Sequence, residues 1–181
     1  PPMPAPPVLL AALGPRMLRL GLEHGDGVVL NWLAPQDVPV LLGEVPPGKE
    51  VVCRVMVCPV DDAERVRDAV RGLFAAYLNV PTYRAFQERL GRAELLAPMW
   101  RAWREGDRAA AARLVPDQVI DDLVVHGDPA RCGERLRAYA AAGVTTTVFA
   151  VVDVAGTGRF PLAELAAVAE AARRPPEGPR P

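Results

Sequence analysis

Cysteine is scarce in this chain, and the three present, Cys53, Cys58 and Cys132, are odd in number and widely spaced. That count excludes a disulfide framework and a zinc site of the C-x-x-C type. Cys53 and Cys58 stand five apart on one predicted strand, so they face opposite sides and cannot share a metal. All three read as reduced core or surface thiols. Charge of one sign is also missing: the net charge is −1 and the arginines are scattered along predicted helices. Without a basic stripe there is no field to collect nucleic acid. Lys49 is the only lysine, and alanine and proline are abundant, a bias of codons rather than chemistry. No apolar run has the length of a membrane span, and Pro1–Pro7 has neither the basic flank nor the apolar centre of a signal peptide. The expected location is cytoplasmic, with no membrane partner. G-x-S-x-G, G-x-x-x-x-G-K-[ST] and G-x-G-x-x-G are all missing, so the chain carries no self-sufficient catalytic set.

What remains is a chain of 181 residues, 50% apolar and 24% charged, enough for one domain with a sizeable core. Val8–Ala12 is a short apolar run, followed by the breaker Gly14-Pro15 with proline in a first helical turn, an amphipathic segment to His24, and a second apolar run over Val28–Asn31. This is a βαβ unit. Its loop carries a glycine at the strand end and free amides at the helix start, where an anion or a cofactor phosphate can sit. Pro35–Leu42 suits a short helix, and the valine-rich Val51–Cys58 reads as a strand buried on both faces. A long helix starts at Asp61-Asp62. Residues 81–125 read as a helical excursion broken at Pro81, Gly91, Gly106 and Pro116, with no strand. Asp128-Pro129 opens another helix that stops at Gly143, Val144–Val152 is a strand, and Pro161–Arg173 is the last helix. Four strands, each followed by helix, specify a parallel α/β sheet, either doubly wound or half of a (β/α)8 barrel. Residues 1–7 read as a proline-rich linker, and residues 175–181 as a disordered tail.

Several chemical-looking groups have plainer readings. His24 suits a helix C-terminus and His126 a turn before a helix cap. Asp153–Glu164 mimics a calcium loop, but Ala155 and Thr157 stand where strong oxygen ligands belong, so it reads as a glycine-rich turn into a helix, with no metal site. Trp100 and Trp103, three apart, read as the inner face of a helix. Asp61-Asp62 and Asp121-Asp122 read as acids at helix starts or on helix surfaces.

Three stretches, Leu10–Met17, Gly25–Trp32 and His126–Pro129 with Leu136, Tyr139, Ala142 and Gly143-Val144, resemble the luciferase-like monooxygenase superfamily. Within it the resemblance is to the oxidoreductases that use the deazaflavin coenzyme F-420. It runs from Pro7 to Val152. It implies a (β/α)8 barrel of which this chain is the C-terminal half, strands five to eight, spanning residues 8–174 with a helical insertion after the seventh strand. It also implies that the cofactor tail lies on the loops after strands five and six, which carries over to Ala12, Leu13 and Gly14, and to Asn31, Trp32 and Leu33. Ala34 stands where some relatives have a basic residue; Arg16 could take that role. The implied cofactor is coenzyme F-420, an 8-hydroxy-5-deazaflavin, with FMN, as in a monooxygenase of the same superfamily, as the alternative. The partners are a small organic substrate and either a second copy of the chain or the missing half-barrel. Catalytic residues fall in that missing half, so the chain alone is expected to be inactive. A non-catalytic relic or partner-binding half-barrel is the reading from another class.

Overall fold

A computed structural model describes residues 5–174; the expected tail, and residues 1–4 of the expected linker, lie outside it. Five parallel strands form one sheet: β1 (Leu9–Ala11), β2 (Gly27–Asn31), β3 (Glu50–Cys58), β4 (Val124–His126) and β5 (Thr146–Val151). The helices among the described residues are α1 (Pro15–His24), α2 (Asp37–Leu42), α3 (Ala63–Tyr77), α4 (Pro81–Arg89), α5 (Ala93–Arg104), α6 (Arg108–Arg113), α7 (Asp117–Leu123), α8 (Pro129–Ala141) and α9 (Leu162–Arg173). Local chemistry sets most of these boundaries. The Asp62 carboxylate accepts from Arg65 N at 3.0 Å and the Asp128 carboxylate from Arg131 N at 2.8 Å, satisfying orphan amides at the heads of α3 and α8. Gly91 and Gly106, at φ +80° and +88°, take the left-handed conformation that stops α4 and α5, which other residues adopt only at a cost.

The excursion does contain a strand. β4 is three residues long and follows α7 with no breaker between, so its sequence reads as the end of a helix. It pairs with Met56–Cys58, and because Met56 also pairs with Ala150 on β5, β4 must take the other edge of β3. That is the edge β2 uses lower down, over Glu50–Arg54.

Register separates the two faces of the sheet, since paired residues point the same way and neighbours along a strand alternate. Val28, Leu30, Val51, Cys53, Val55 and Val57 share one face and are fully buried. Here α1 comes so close that a Cβ on Gly21 would stand 2.6 Å from the Val28 side chain. The burial of that valine and leucine face is the main apolar stabilisation of the sheet. On the opposite face Ala11, Val29, Asn31, Arg54, Thr146 and Val148 are exposed or half-buried, while Val52, Met56 and Cys58 of β3 are buried.

Candidate cofactor site

In a parallel sheet all strand C-termini lie at one end, so the loops after β1 and β2 are neighbours there. After β1, Ala12 is buried and its N–H extends the ladder to Val29 O at 3.0 Å. Leu13 is half-buried, and its carbonyl accepts from Arg89 Nη1 of α4 at 2.8 Å. Gly14 caps α1 with φ −102°, and a Cβ built on it would meet nothing within 4 Å. The glycine therefore answers no demand of backbone conformation. What it leaves is open space at the head of a helix whose first turn carries no acid and no side-chain cap. The amides of Arg16 and Met17 belong to that turn and are intrinsically unsatisfied.

After β2 the geometry is closed. Trp32 has φ +59°, the only positive φ of a non-glycine among the described residues. For so large a side chain that conformation is strained and must be held by its surroundings. The Trp32 N–H donates to Asn31 Oδ1 at 3.0 Å, and its carbonyl accepts from Gln87 Nε2 at 2.8 Å. Its ring stacks on Tyr77 with centroids 5.3 Å apart and meets Phe74 edge-on at 4.9 Å. Leu33 is buried too, its carbonyl accepting from Tyr139 Oη at 2.9 Å. The Trp32 and Leu33 side chains thus face the core, while Asn31 is half-buried with Arg54 Nη1 3.4 Å from its Oδ1. Arg16 is exposed.

A buried polar network pins this loop to the excursion. Asp37 Oδ2 accepts from Ala34 N at 2.7 Å and from Arg92 Nη2 at 2.8 Å, and Arg92 Nη1 donates to Gln87 Oε1 at 3.2 Å. The Arg92 and Asp37 side chains are only 9% and 8% exposed, so the Asp37 charge depends on Arg92, which also has Asp122 Oδ2 at 3.8 Å. Gln87 and Arg92 escape a sequence reading because they sit 55 residues from their partners; a glutamine on a buried helical face is the only local sign.

The other singled-out groups settle elsewhere. His126 ends β4 rather than lying in a free turn, and its Nε2 lies 3.2 Å from Asp121 Oδ1. Asp121 and Asp122 stand in the last turn of α7, not at a helix start, and Asp121 takes two bonds from Arg67, at 2.9 and 2.6 Å. Burial pushes the Asp121 carboxyl up, but the Arg67 guanidinium and then His126 outweigh it and hold it below the usual carboxylate value. A cleft of about 420 Å³ opens beside these groups, lined also by Arg131 and Arg135, with Asp122 and Glu134 balancing their charge. Trp100 is buried, its Nε1 donating to Leu78 O at 2.9 Å, and Trp103 is half-buried beneath Arg108. The Asp153 carboxylate accepts from Gly158 N at 2.7 Å and Ala155 N at 3.0 Å, so its oxygens serve the turn itself. All three cysteines are buried, and burial raises their pKa values to about 12 for Cys53 and Cys132 and about 11 for Cys58. Thiols so shifted are poor nucleophiles and poor metal ligands. Among the described residues no helix is long and apolar enough to cross a membrane.

Comparison with known proteins gives these features a frame. The 5,10-methylenetetrahydromethanopterin reductase of Archaeoglobus fulgidus is 28% identical over 157 residues, covering 78% of this chain and 47% of the reductase. The solved coenzyme F-420-dependent tetrahydromethanopterin reductase from Methanopyrus kandleri superposes with a TM-score of 0.65 at 22% identity, over 91% of this chain and 49% of the other. An F-420-dependent secondary alcohol dehydrogenase, solved with an F-420–acetone adduct, gives 0.64 at 17% identity, over 96% and 51%. At these identities the two solved structures establish the α/β fold with its parallel sheet. The chain spans about half the length of the relatives it matches. Residues 1–146 match the luciferase-like monooxygenase family over most of the sequence, and the chain belongs to that family.

Proposed function

We propose that this chain is the C-terminal half, strands five to eight, of a (β/α)8 oxidoreductase that binds coenzyme F-420 and acts on a small organic substrate. β1, β2, β3 and β5 would be the four barrel strands, and residues 81–125 the insertion after the seventh. The FMN alternative finds no support among the relatives named. The observation that carries the reading is the open space at Gly14, beside a strand end and at the head of α1. An anionic cofactor tail fits there, because first-turn amides donate to it and no side chain fills the space. Ala12 fixes the strand end, Leu13 is tied to α4, and Asn31 presents a polar side chain at the neighbouring strand end. Trp32 and Leu33 serve through the backbone shape of their loop. Once bound, the deazaflavin supplies hydride transfer at its C5, and the protein contributes orientation and exclusion of water. Groups that touch the reacting carbon belong, in this reading, to the first half of the barrel.

The test joins this chain to the half of the Archaeoglobus fulgidus reductase that the match leaves uncovered, and titrates coenzyme F-420 into wild type and Gly14→Val. Gly14→Val is expected to weaken binding on the order of tenfold or more, with an unchanged circular dichroism spectrum. Unchanged affinity in the folded variant would place the tail elsewhere.

A further inference from the structure

Trp32 is a poor residue for a left-handed turn, yet the turn is held from three sides. Its N–H is fixed by Asn31 Oδ1, its carbonyl by Gln87 Nε2, and its ring by Tyr77 and Phe74. Such strain persists only where the surroundings over-determine it, and it gathers where a ligand must find its contacts already set. The consequence falls on Asn31. Both groups at its Oδ1, the Trp32 N–H at 3.0 Å and Arg54 Nη1 at 3.4 Å, are donors. Only the amide oxygen can meet a donor, so the neighbours decide which way the side-chain amide faces. Nδ2 is therefore turned away from them. It donates to no atom among the described residues, and no side-chain nitrogen there is buried without a partner, so Nδ2 reaches solvent at the C-terminal end of β2. Gln87, which fixes the Trp32 carbonyl, is fully buried and belongs to α4 of the excursion.

We propose that Asn31 Nδ2 donates a hydrogen bond to an oxygen of the anionic cofactor tail, and that Gln87 is the positioning residue that aims it by holding Trp32 in its left-handed turn. The inference rests on the F-420 reading and deepens it, because it gives the excursion a part in recognising the cofactor. Gln87 touches no ligand; it sets the peptide whose N–H fixes the Asn31 amide. With its oxygen occupied, Asn31 acts as a donor only, and a ligand that presents a donor there would leave two N–H or O–H groups facing each other unpaired.

The experiment titrates coenzyme F-420 into this chain joined to the uncovered half of the Archaeoglobus fulgidus reductase, as wild type, Asn31→Asp, Gln87→Glu and the double variant, with circular dichroism and urea unfolding alongside. Asn31→Asp keeps the oxygen that the Trp32 N–H and Arg54 meet and loses only the donor, so stability should hold while affinity falls about tenfold. The loss should persist at high salt, where mere repulsion between a carboxylate and an anionic tail is screened. Gln87→Glu keeps the oxygen that Arg92 Nη1 meets at 3.2 Å but cannot donate to the Trp32 carbonyl. Gln87→Met, uncharged and of similar length, takes its place if the buried carboxylate prevents folding. Either should weaken binding severalfold alone and add little once Asn31→Asp is present, a non-additivity that a general loss of stability would not produce. Wild-type affinity in Asn31→Asp, or a loss confined to low salt, would refute the donor, and additive losses would refute the positioning role. In both cases binding that Gly14→Val still weakens leaves the F-420 reading standing. No binding by the wild-type fusion would overturn that reading and this inference together.

Discussion

Arg92 shows how one side chain can hold a loop it is far from in sequence. Its guanidinium spans Asp37 and Gln87, and through them the Ala34 amide and the Trp32 carbonyl, so the strained turn after β2 rests on a charge supplied by the excursion. Arg92→Met would leave the Asp37 carboxylate buried without a counter-charge, a loss of about 3–5 kcal/mol. Urea unfolding measures this directly: the midpoint should fall sharply, and a loss below about 1 kcal/mol would mean that Asp37 finds another partner or water. Gly14 is the opposite kind of residue. Nothing in the fold needs it to be glycine, so its substitution separates ligand binding from folding more cleanly than any change at Trp32 would.

Among the elements, α3, α7 and β4 are joined by the Arg67–Asp121–His126 cluster. The Asp121 carboxyl titrates lower folded than unfolded, so its contribution is present above the ordinary carboxylate value near pH ~4 and is lost as pH falls through the lower, folded one. With Asp121 at 35% exposure, screening keeps the effect modest. Unfolding free energies of wild type and Asp121→Asn should differ at pH 7 and converge below about pH 4; a gap that stays constant into acid would show the carboxylate's charge to be irrelevant.

The elements also show what a sequence can and cannot disclose. Asp62, Asp128, Gly91 and Gly106 announce helix ends because capping and left-handed turns need those residue types. β4 announces nothing: three residues with no breaker before them carry no period, and only pairing with Met56–Cys58 makes them a strand. Likewise the loops at Ala12–Gly14 and Asn31–Leu33 could be marked from motifs. That Trp32 turns inward, and that Gln87 and Arg89 close α4 over both loops, depends on contacts across 55 and 76 residues. Asp121-Asp122 looked like surface acids because Arg67, 54 residues away, is invisible as a partner until the helices pack.

For the whole molecule, the decisive fact is that among the described residues β1 and β5 each pair on one edge, beside relatives about twice as long. Strand edges and apolar faces left this way are templates for further pairing. Hydrogen exchange, read strand by strand, is the most direct test of the proposal that a second half closes a barrel with this chain. In the chain alone, the amides of β1 and β5 should exchange faster than those of β2 and β3, and adding the uncovered half of the Archaeoglobus fulgidus reductase should slow β1 and β5 selectively. Equal protection of all four strands in the chain alone, unchanged on that addition, would contradict the half-barrel account.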